Sequence, residues 1–508
     1  MSITSALSNA YSGLAANARL TEIVSRNVAS AGVEGYAARE LTPGSRILTD
    51  QGGGVTLSGP TRAGDAFVTA ERRRAEARAG ADADAAATAR ALADLIGTDA
   101  EGDSLAARYG ALEDALRKLA DSPESPTVRQ EAAEAARSVA RTFNLMSTES
   151  QRLRFEADGE IARQVEALNS ALAKIDELNK QIAAAQAVGR DATALEDERE
   201  RQIDVVNAIV PIRAQRRDNG AVSLFTQGGG VLLDVEPRPL SFTPTGPITP
   251  DMTLEGGQLS NVTFNGRDAA PTAPTGSGLL RGGALEAAFR ARDETIPAFD
   301  AQLDALARDL IERFQNPAVD PSLDPLAAPA EAGLFAVGPF AVAFDGTAAS
   351  QVGLAARIVL NPAADPAAGG AAARMRVGGG AGAVPRSGDP AIPLAFLDAF
   401  TALRAPAAPV SAVPPNAPLA SLGFDAPRSA GALAAQVGAM RSAAATRAEQ
   451  GAAFAQGVLA TAQEGELRVS AVDTDAELRA LIELENAYAA NARVVSAIDE
   501  MMRRILEI

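Results

Sequence analysis

Few residue types in this chain could do chemistry. It contains no histidine and no cysteine. The commonest general base and metal ligand is therefore missing, and neither disulfides nor thiolate metal sites can form. Three constellations remain. The first is Gly-rich: residues 377–385 read VGGGAGAVP, a superficial match to G-x-G-x-x-A. A dinucleotide site needs a helix directly after the glycines, so that its N-terminus meets the pyrophosphate. Pro385 and the RSGDP that follows argue against that helix. The second is the acidic pair Asp320 and Asp324 in VDPSLDP. Proline flanks both and no EF-hand spacing follows, which points to a surface loop. The third is the basic run ERRR (71–74), which with Glu76 close behind reads as a solvated helix face. No P-loop sequence occurs, since Lys118, Lys174 and Lys180 lie far from any Gly-rich turn. Paired carboxylates for glycoside hydrolysis would need a compact cleft, and the low-aromatic stretches 212–275 and 316–427 do not resemble one. The expectation is no enzyme activity, no cofactor and no metal.

Composition narrows the classes further. The formal charge of −17 argues against nucleic acid, because phosphate contacts need clustered Lys and Arg. No window reads as a transmembrane span, so membrane insertion is not expected. The first residues lack the basic and apolar regions of a secretory signal, which taken alone reads as cytoplasmic. The length of 508 residues suggests several domains. Much of the 47% hydrophobic content is alanine, and aromatics are 4%. Alanine favours helix but buries little area, which predicts slender helical layers with no single bulky core.

The elements that must position any site follow from periodicity. Ile3, Leu7, Ala10, Leu14, Asn17, Thr21, Val24 and Val28 recur four and three apart, a heptad seam that should end near Gly32 and Gly35. Residues 41–70 are turn-rich and β-like. Helix returns from about Thr69 to Leu119, with a break near Gly97. Ser125 and Pro126 open a long helix to about Val188, and another helix ends at Pro211. Residues 212–275 read as hairpins with Asn-Gly and Gly-rich turns. Residues 284–314 are helical with a kink near Pro297, 316–427 are rich in Pro, Ala and Gly, and 428–465 return to helix. The last helix starts near Asp475. Its seam is Leu481, Leu484, Tyr488, Asn491, Val495, Ile498, Met502 and Ile505.

The two terminal seams should pair, with Asn17 and Asn491 as register pins in a coiled coil. Apolar residues off the seam, such as Leu20, Ile23, Ile482 and Leu506, imply more than one neighbour. The fold expected is mainly α with an inserted β-rich region: paired terminal helices, a long helical-bundle domain and an outward β/loop-rich domain. The boundaries are 1–40 with 470–508 for the coiled coil, 41–211 with 276–315 and 428–469 for the helical domain, and 212–275 with 316–427 for the outer region.

The same residues carry a family resemblance. SGLAANARLTEIVSRNVASAGVEGY (12–36) resembles the N-terminal signature of bacterial flagellar axial proteins, the rod, hook and hook-associated family. That signature is a helix with small residues and Leu, an Asn-Asn-Ile-Ala-Asn-like stretch, then Gly-Tyr. Here it reads Arg26-Asn27-Val28-Ala29-Ser30 and then Gly35-Tyr36, with Arg26 and Ser30 in place of asparagines. ENAYAANARVVSAIDEMMRRIL looks like the family's closing helix, with Tyr488, Asn491, Ala492, Asp499 and Met501 in position. The helical block 126–210, GSGLLRGGALEAAF onward (276–315) and GLAARIVLNPAAD (353–365) are similar to the hook-associated members that join hook to filament. The resemblance runs over nearly the whole chain, strongest at the ends and weakest across 212–275 and 366–427.

It implies a structural protein of the hook–filament junction, exported through the flagellar type III apparatus and working outside the cell, which displaces the cytoplasmic reading. Implied partners are copies of itself in a ring-like axial assembly, hook protein, hook-associated protein 3 and a flagellar export chaperone. The interface residues implied are Ile3, Leu7, Leu14, Asn17, Val24, Asn27, Val28, Gly35 and Tyr36, with the C-terminal seam above. Leu481, Leu484, Tyr488, Val495 and Ile498 would serve chaperone and assembly in turn. A hook or distal-rod protein, or a secreted surface-binding module, are the alternatives.

Overall fold

The computed structural model describes residues 3–33, 35–48, 51–97, 104–269, 271, 278–327, 330–340, 342–380, 388–405 and 426–506. Helix α1 (Ile3–Ser30) leads through strand β1 (Arg39–Glu40), the hairpin β2–β3 (Pro43–Leu48, Gln51–Leu57) and β4 (Thr61–Arg62), which pairs with β1. Five long helical segments follow: α2 (Ala66–Ile96), α3 (Leu105–Asp121), α4 (Pro126–Ala187) and α5 (Thr193–Ile209), then, after two small sheets, α6 (Gly283–Arg290) running through a π turn (Ala291–Thr295) into α7 (Ile296–Phe314). The sheets are β5–β6–β7 (Ile212–Arg216, Val222–Thr226, Val231–Leu233) and β8–β9–β10 (Leu240–Ser241, Thr263–Phe264, Arg267–Asp268), all antiparallel. Strands β11 (Phe335–Val337) and β12 (Ile358–Leu360) pair around the one-turn helices α8 (Ala348–Gln351) and α9 (Leu354–Arg357). Then come α10 (Arg374–Val377), α11 (Ala391–Thr401), α12 (Ala430–Ser470) and α13 (Thr474–Leu506).

Local chemistry accounts for the boundaries. Ser125 Oγ accepts from Val128 N at the start of α4, and Pro126 sits in the first turn, where a missing N–H costs nothing. Asp65 Oδ1 caps α2 by accepting from Phe67 N. Gly97 ends it at φ 77°, a left-handed geometry suited to glycine. Pro297 cannot donate to the carbonyl four residues back, and the helix widens into the π turn just before it. Asn219-Gly220 makes the β5–β6 turn, with Gly220 at φ 77°.

The expectation of no bulky core fails. Phe314 lies 5.6 Å from Phe335, 5.4 Å from Phe396 and 6.4 Å from Phe400 between ring centroids, and Tyr109 packs on Phe143 and Phe400. Eight of the aromatics, Tyr109, Phe143, Phe299, Phe314, Phe335, Phe344, Phe396 and Phe400, share this core, where each buries a large area. Phe335, Met375, Phe396 and Phe400 all come from 316–405, so the described part of that stretch is bound into the helical body. A second core joins the middle of α4 to α5, α6 and the two three-stranded sheets.

Two of the set-aside motifs meet. Asp320 is fully buried, and its carboxylate accepts from Gly379 N at 2.8 Å and Ser322 Oγ at 2.6 Å, while Ser322 Oγ accepts from Gly380 N. The surface-loop reading therefore fails for Asp320 and stands for exposed Asp324. Asp320 is an anchor for the Gly-rich segment that follows α10, where a Cβ at Gly378 would fall 2.2 Å from Asp320 Oδ1. Pro385 and its neighbours lie outside the described residues. ERRR is also corrected. Arg72 and Arg73 are buried and both pair with Asp204 of α5 at 2.7 Å. Arg73 adds Glu200, and Arg72 adds Glu466 of α12. Burial would lower both arginine pKa values, but these carboxylates outweigh it and raise them. The partners sit on other helices, where a local charge pattern cannot see them.

Within α7, burial raises the carboxyl pKa of Asp300 to about 6 and of Asp304 to about 7. Hydrogen bonds from Gly353 N and Ala355 N, each 2.8 Å, oppose the shift at Asp304. A raised folded pKa means that the unfolded chain gives up the proton first, so stability is lost as pH rises from about 4 through the folded values. Denaturant midpoints should fall between pH 5 and pH 8, and Asp304→Asn should flatten that fall. An unchanged slope in the variant would show that Asp304 stays ionised.

Candidate assembly interface at the paired termini

Helices α1 and α13 lie against each other in antiparallel register. Asn491 seats on Gly13, where a Cβ would come within 2.9 Å of Asn491 Nδ2, and Glu477 meets Asn27 at the other end. Small residues permit the close approach, and Ala10 and Ala16 are buried. The hairpin β2–β3 closes over α1: Ser12 Oγ accepts from Val55 N at 3.2 Å, and Gly54, at φ 94°, leaves space that a Cβ would take from Ser12 Oγ.

At the base of the pair, Asn27 is 1% exposed and uses its whole amide. Its Oδ1 accepts from Tyr36 Oη at 2.8 Å and Arg39 N at 3.0 Å. Its Nδ2 donates to Arg39 O at 3.0 Å and Glu477 Oε1 at 2.6 Å. Gly35, at φ 77°, makes the turn that brings Tyr36 back under α1. Arg39 lies 5.0 Å from the Tyr36 ring centroid and reaches Asp197 of α5, which also pairs with Arg62 at 2.8 Å. Arg26 pairs with Asp191 at 3.1 Å. Burial and the charges of Asp197 and Glu477 raise the Tyr36 pKa against the pull of Arg39 and Arg26, so the phenol stays a donor. The last helix starts where Asp473 Oδ1 accepts from Asp475 N and Ala476 N.

The seam residues divide. Val24, Asn27 and Ile498 are buried; Leu7, Leu14, Asn17, Val28, Tyr36, Leu481, Leu484, Asn491 and Val495 are half-buried; Gly35 is exposed. Ile3 and Ile505 fall within the two helices. Tyr488 and Met502 lie outward, 51% and 41% exposed. A tyrosine is too large for a pair drawn together by glycine and alanine, and a straight helix drifts off a 3.5-residue repeat. Ile23, read as off the seam, is buried. Asn17 and Asn491 do not face each other: the register sets them a turn apart, with Asn491 on Gly13, and Asn17 Nδ2 is buried without a partner among the described residues. Arg39, Asp197 and Glu477 escaped sequence reasoning. The acidic first turn of α13 was the one visible hint, since Glu477 lies 450 residues from Asn27.

Uncovered apolar side chains remain along the pair. Leu478, Ile482, Tyr488, Val494, Met501 and Met502 on α13, and Tyr11 on α1, are all exposed. No described helix is long and apolar enough to cross a membrane, and no described group of carboxylates could hold a metal ion.

Two families match this arrangement. Residues 463–508, spanning the last helix, match the flagellar basal body rod FlgEFG protein C-terminal domain. Residues 90–317, the helical body, match the flagellar hook-associated protein FlgK helical domain. Both matches liken the chain to proteins of the bacterial flagellum. Its particular likeness is to flagellar hook-associated protein 1: that of Bacillus subtilis is 24% identical over 243 residues, 45% of this chain and 47% of the relative. That of Escherichia coli is 26% identical over 237 residues, 45% of this chain and 42% of the relative. The matches span less than half the length of these relatives, and less of this chain than the near-complete resemblance expected. The solved flagellar hook junction protein FlgK from Burkholderia pseudomallei aligns at a TM-score of 0.42 and 21% identity, over 54% of this chain and 47% of that one.

Asn27→Ala should strip partners from Tyr36, Arg39 and Glu477 and cost about 2–3 kcal/mol. Hydrogen exchange in the first turns of α13 should quicken markedly. Unchanged protection there would remove Asn27 as the tie between the ends.

Proposed function

We propose that this chain is a structural component of the bacterial flagellum that forms the junction between hook and filament. The observation that carries this reading is the pairing of the two chain ends into a rod that leaves large apolar side chains uncovered along α13, a helix of roughly 50 Å. A single protein gains nothing by exposing Ile482, Tyr488, Val494 and Met501; neighbouring copies around an axis would bury them, each contributing about 1.5–3 kcal/mol. The flagellar matches over the body and the last helix supply the setting. The role is mechanical and needs no catalysis. Its partners are further copies of the chain, hook protein on one side and hook-associated protein 3 on the other. The route is export through the flagellar type III apparatus to the outside of the cell, with a chaperone holding the C-terminal segment. Leu481, Leu484, Tyr488, Asn491, Val495, Ile498, Met502 and Ile505 form one contact strip, and Ile3 to Tyr36 the other. The absence of cysteine and the small side chains suit passage through a narrow channel.

Because the C-terminal match is to a rod-protein domain, a hook or rod position is the second reading. Deleting the gene separates the two. Under the junction reading, electron microscopy shows hooks without filaments and the medium contains shed flagellin. Cells without hooks would favour the rod or hook position, and normal flagella would refute both. A chain truncated after Asp475 should lose both chaperone binding and incorporation. If it retains them, the C-terminal strip is not the interface.

A further inference from the structure

Two Asn-Gly pairs occur in the chain, Asn219-Gly220 and Asn265-Gly266. In each, a side-chain amide sits beside a backbone nitrogen that no Cβ shields, and the two can react with each other. Structure treats the pairs differently. The first is locked. Gly220 N donates to Arg217 O at 3.0 Å, and Asn219 Oδ1 accepts from Ala221 N at 3.2 Å. Gly220 O accepts from Nη1 of the fully buried Arg199 at 2.7 Å. A Cβ at Gly220 would fall 2.3 Å from Gln186 Oε1, so α4 closes over this turn. The β5–β6 ladder behind it runs over five residue pairs. The second pair is open. It is the two-residue loop between β9 and β10, with φ 53° and 72°, a type I′ turn. Asn265 is the one residue other than glycine with a positive φ among the described residues. Both residues are exposed, and nothing lies within 4 Å of where a Gly266 Cβ would sit. Neither the Asn265 amide nor Gly266 N has a hydrogen-bond partner among the described residues. Two residue pairs hold this hairpin, with Ala269 N donating to Val262 O at 2.9 Å beyond them.

We propose that Asn265 is a site of spontaneous covalent modification, deamidation through a succinimide, and that Asn219 is protected from it. So short a ladder opens locally at low cost, and opening lets Gly266 N turn toward Asn265 Cγ. The bond from Gly266 N to Cγ forms, and the side-chain nitrogen leaves as ammonia, taking the Gly266 amide proton. Water then opens the five-membered imide. Cleavage between nitrogen and Cγ leaves aspartate; cleavage between nitrogen and the backbone carbonyl carbon leaves isoaspartate. Nothing is oxidised or reduced. Aspartate adds a negative charge next to Arg267 and near Asp268. Isoaspartate routes the backbone through the side-chain carbon, which lengthens a two-residue loop and breaks the register of β10 on β9.

The test holds the full chain in mildly alkaline buffer, where the attacking nitrogen is more readily deprotonated. Digestion after glutamate separates the two asparagines by cutting at Glu236 and Glu255, and mass spectrometry follows each peptide. The Asn265 peptide should gain the mass difference between asparagine and aspartate, with isoaspartate eluting as a separate peak. Its conversion should run about tenfold faster than that of Asn219. In guanidinium chloride the two rates should converge, because only the fold distinguishes the pairs. Asn265→Gly accepts the positive φ and should remove the signal while circular dichroism stays unchanged. Conversion of Asn219 as fast as Asn265 in the folded chain overturns the proposal. So does a folded chain that keeps Asn265 intact while the unfolded chain converts it.

Discussion

Four hydrogen bonds at one asparagine hold the ends of this chain to each other, and Arg39 beside it carries the tie on to Asp197 of the body. Asn27 accepts twice and donates twice, the working capacity of its amide in this pocket. Its partners are the turn after α1, the first strand and the first turn of the last helix. An aspartate would lose both donors and face Glu477 with like charge. The tie matters because the pair above it is built from Gly13, Ala10 and Ala16, which bury little area and specify register weakly. The polar hub sets the register, and Asn491 on Gly13 follows from it.

Charge plays the same part elsewhere. Alanine-rich helices offer shallow surfaces, and the α2–α12 contact relies on a small core of Ala75, Ala79, Ala455 and Leu459. Arg72 and Arg73 tie that pair to α5 through Asp204, Glu200 and Glu466. Deeper, Arg292 and Asp158 meet at 2.6 Å with almost no exposure, and Arg154 donates to the carbonyls of Arg292, Thr249 and Met252. Buried pairs of this kind add little net stability, but removing one partner leaves an uncompensated charge at a cost of about 3–5 kcal/mol. They therefore dictate which helix lies beside which, where apolar area alone would accept several arrangements.

The body and the ends have opposite surfaces. Around Phe314 the aromatic rings are closed in. Along α13 the apolar residues are left open, and stability there waits on a neighbour. A helix half-covered by α1 and half-bare is suited to being ordered by assembly, since an isolated helix gains little from propensity alone.

Helix positions were legible from local chemistry. The Ser125-Pro126 start, the Gly97 stop, the Asn219-Gly220 turn and the terminal seams are set by residues within a few positions of each other, so the sequence alone determined them. The resemblance to the flagellar axial signature grouped Asn27, Gly35 and Tyr36 in one motif. What that motif binds was decided by tertiary structure, because Glu477 and Asp197 reach it from far along the chain. The same reason explains the failures. Arg72 and Arg73 look solvated until α5 and α12 arrive, Asp320 looks like a loop carboxylate until the Gly-rich segment closes on it, and Asn17 and Asn491 look alike until the register seats Asn491 on Gly13 and leaves Asn17 Nδ2 without a partner among the described residues. Periodicity fixes which face of a helix is apolar; the depth of burial and the identity of a charge's partner depend on which distant element packs there.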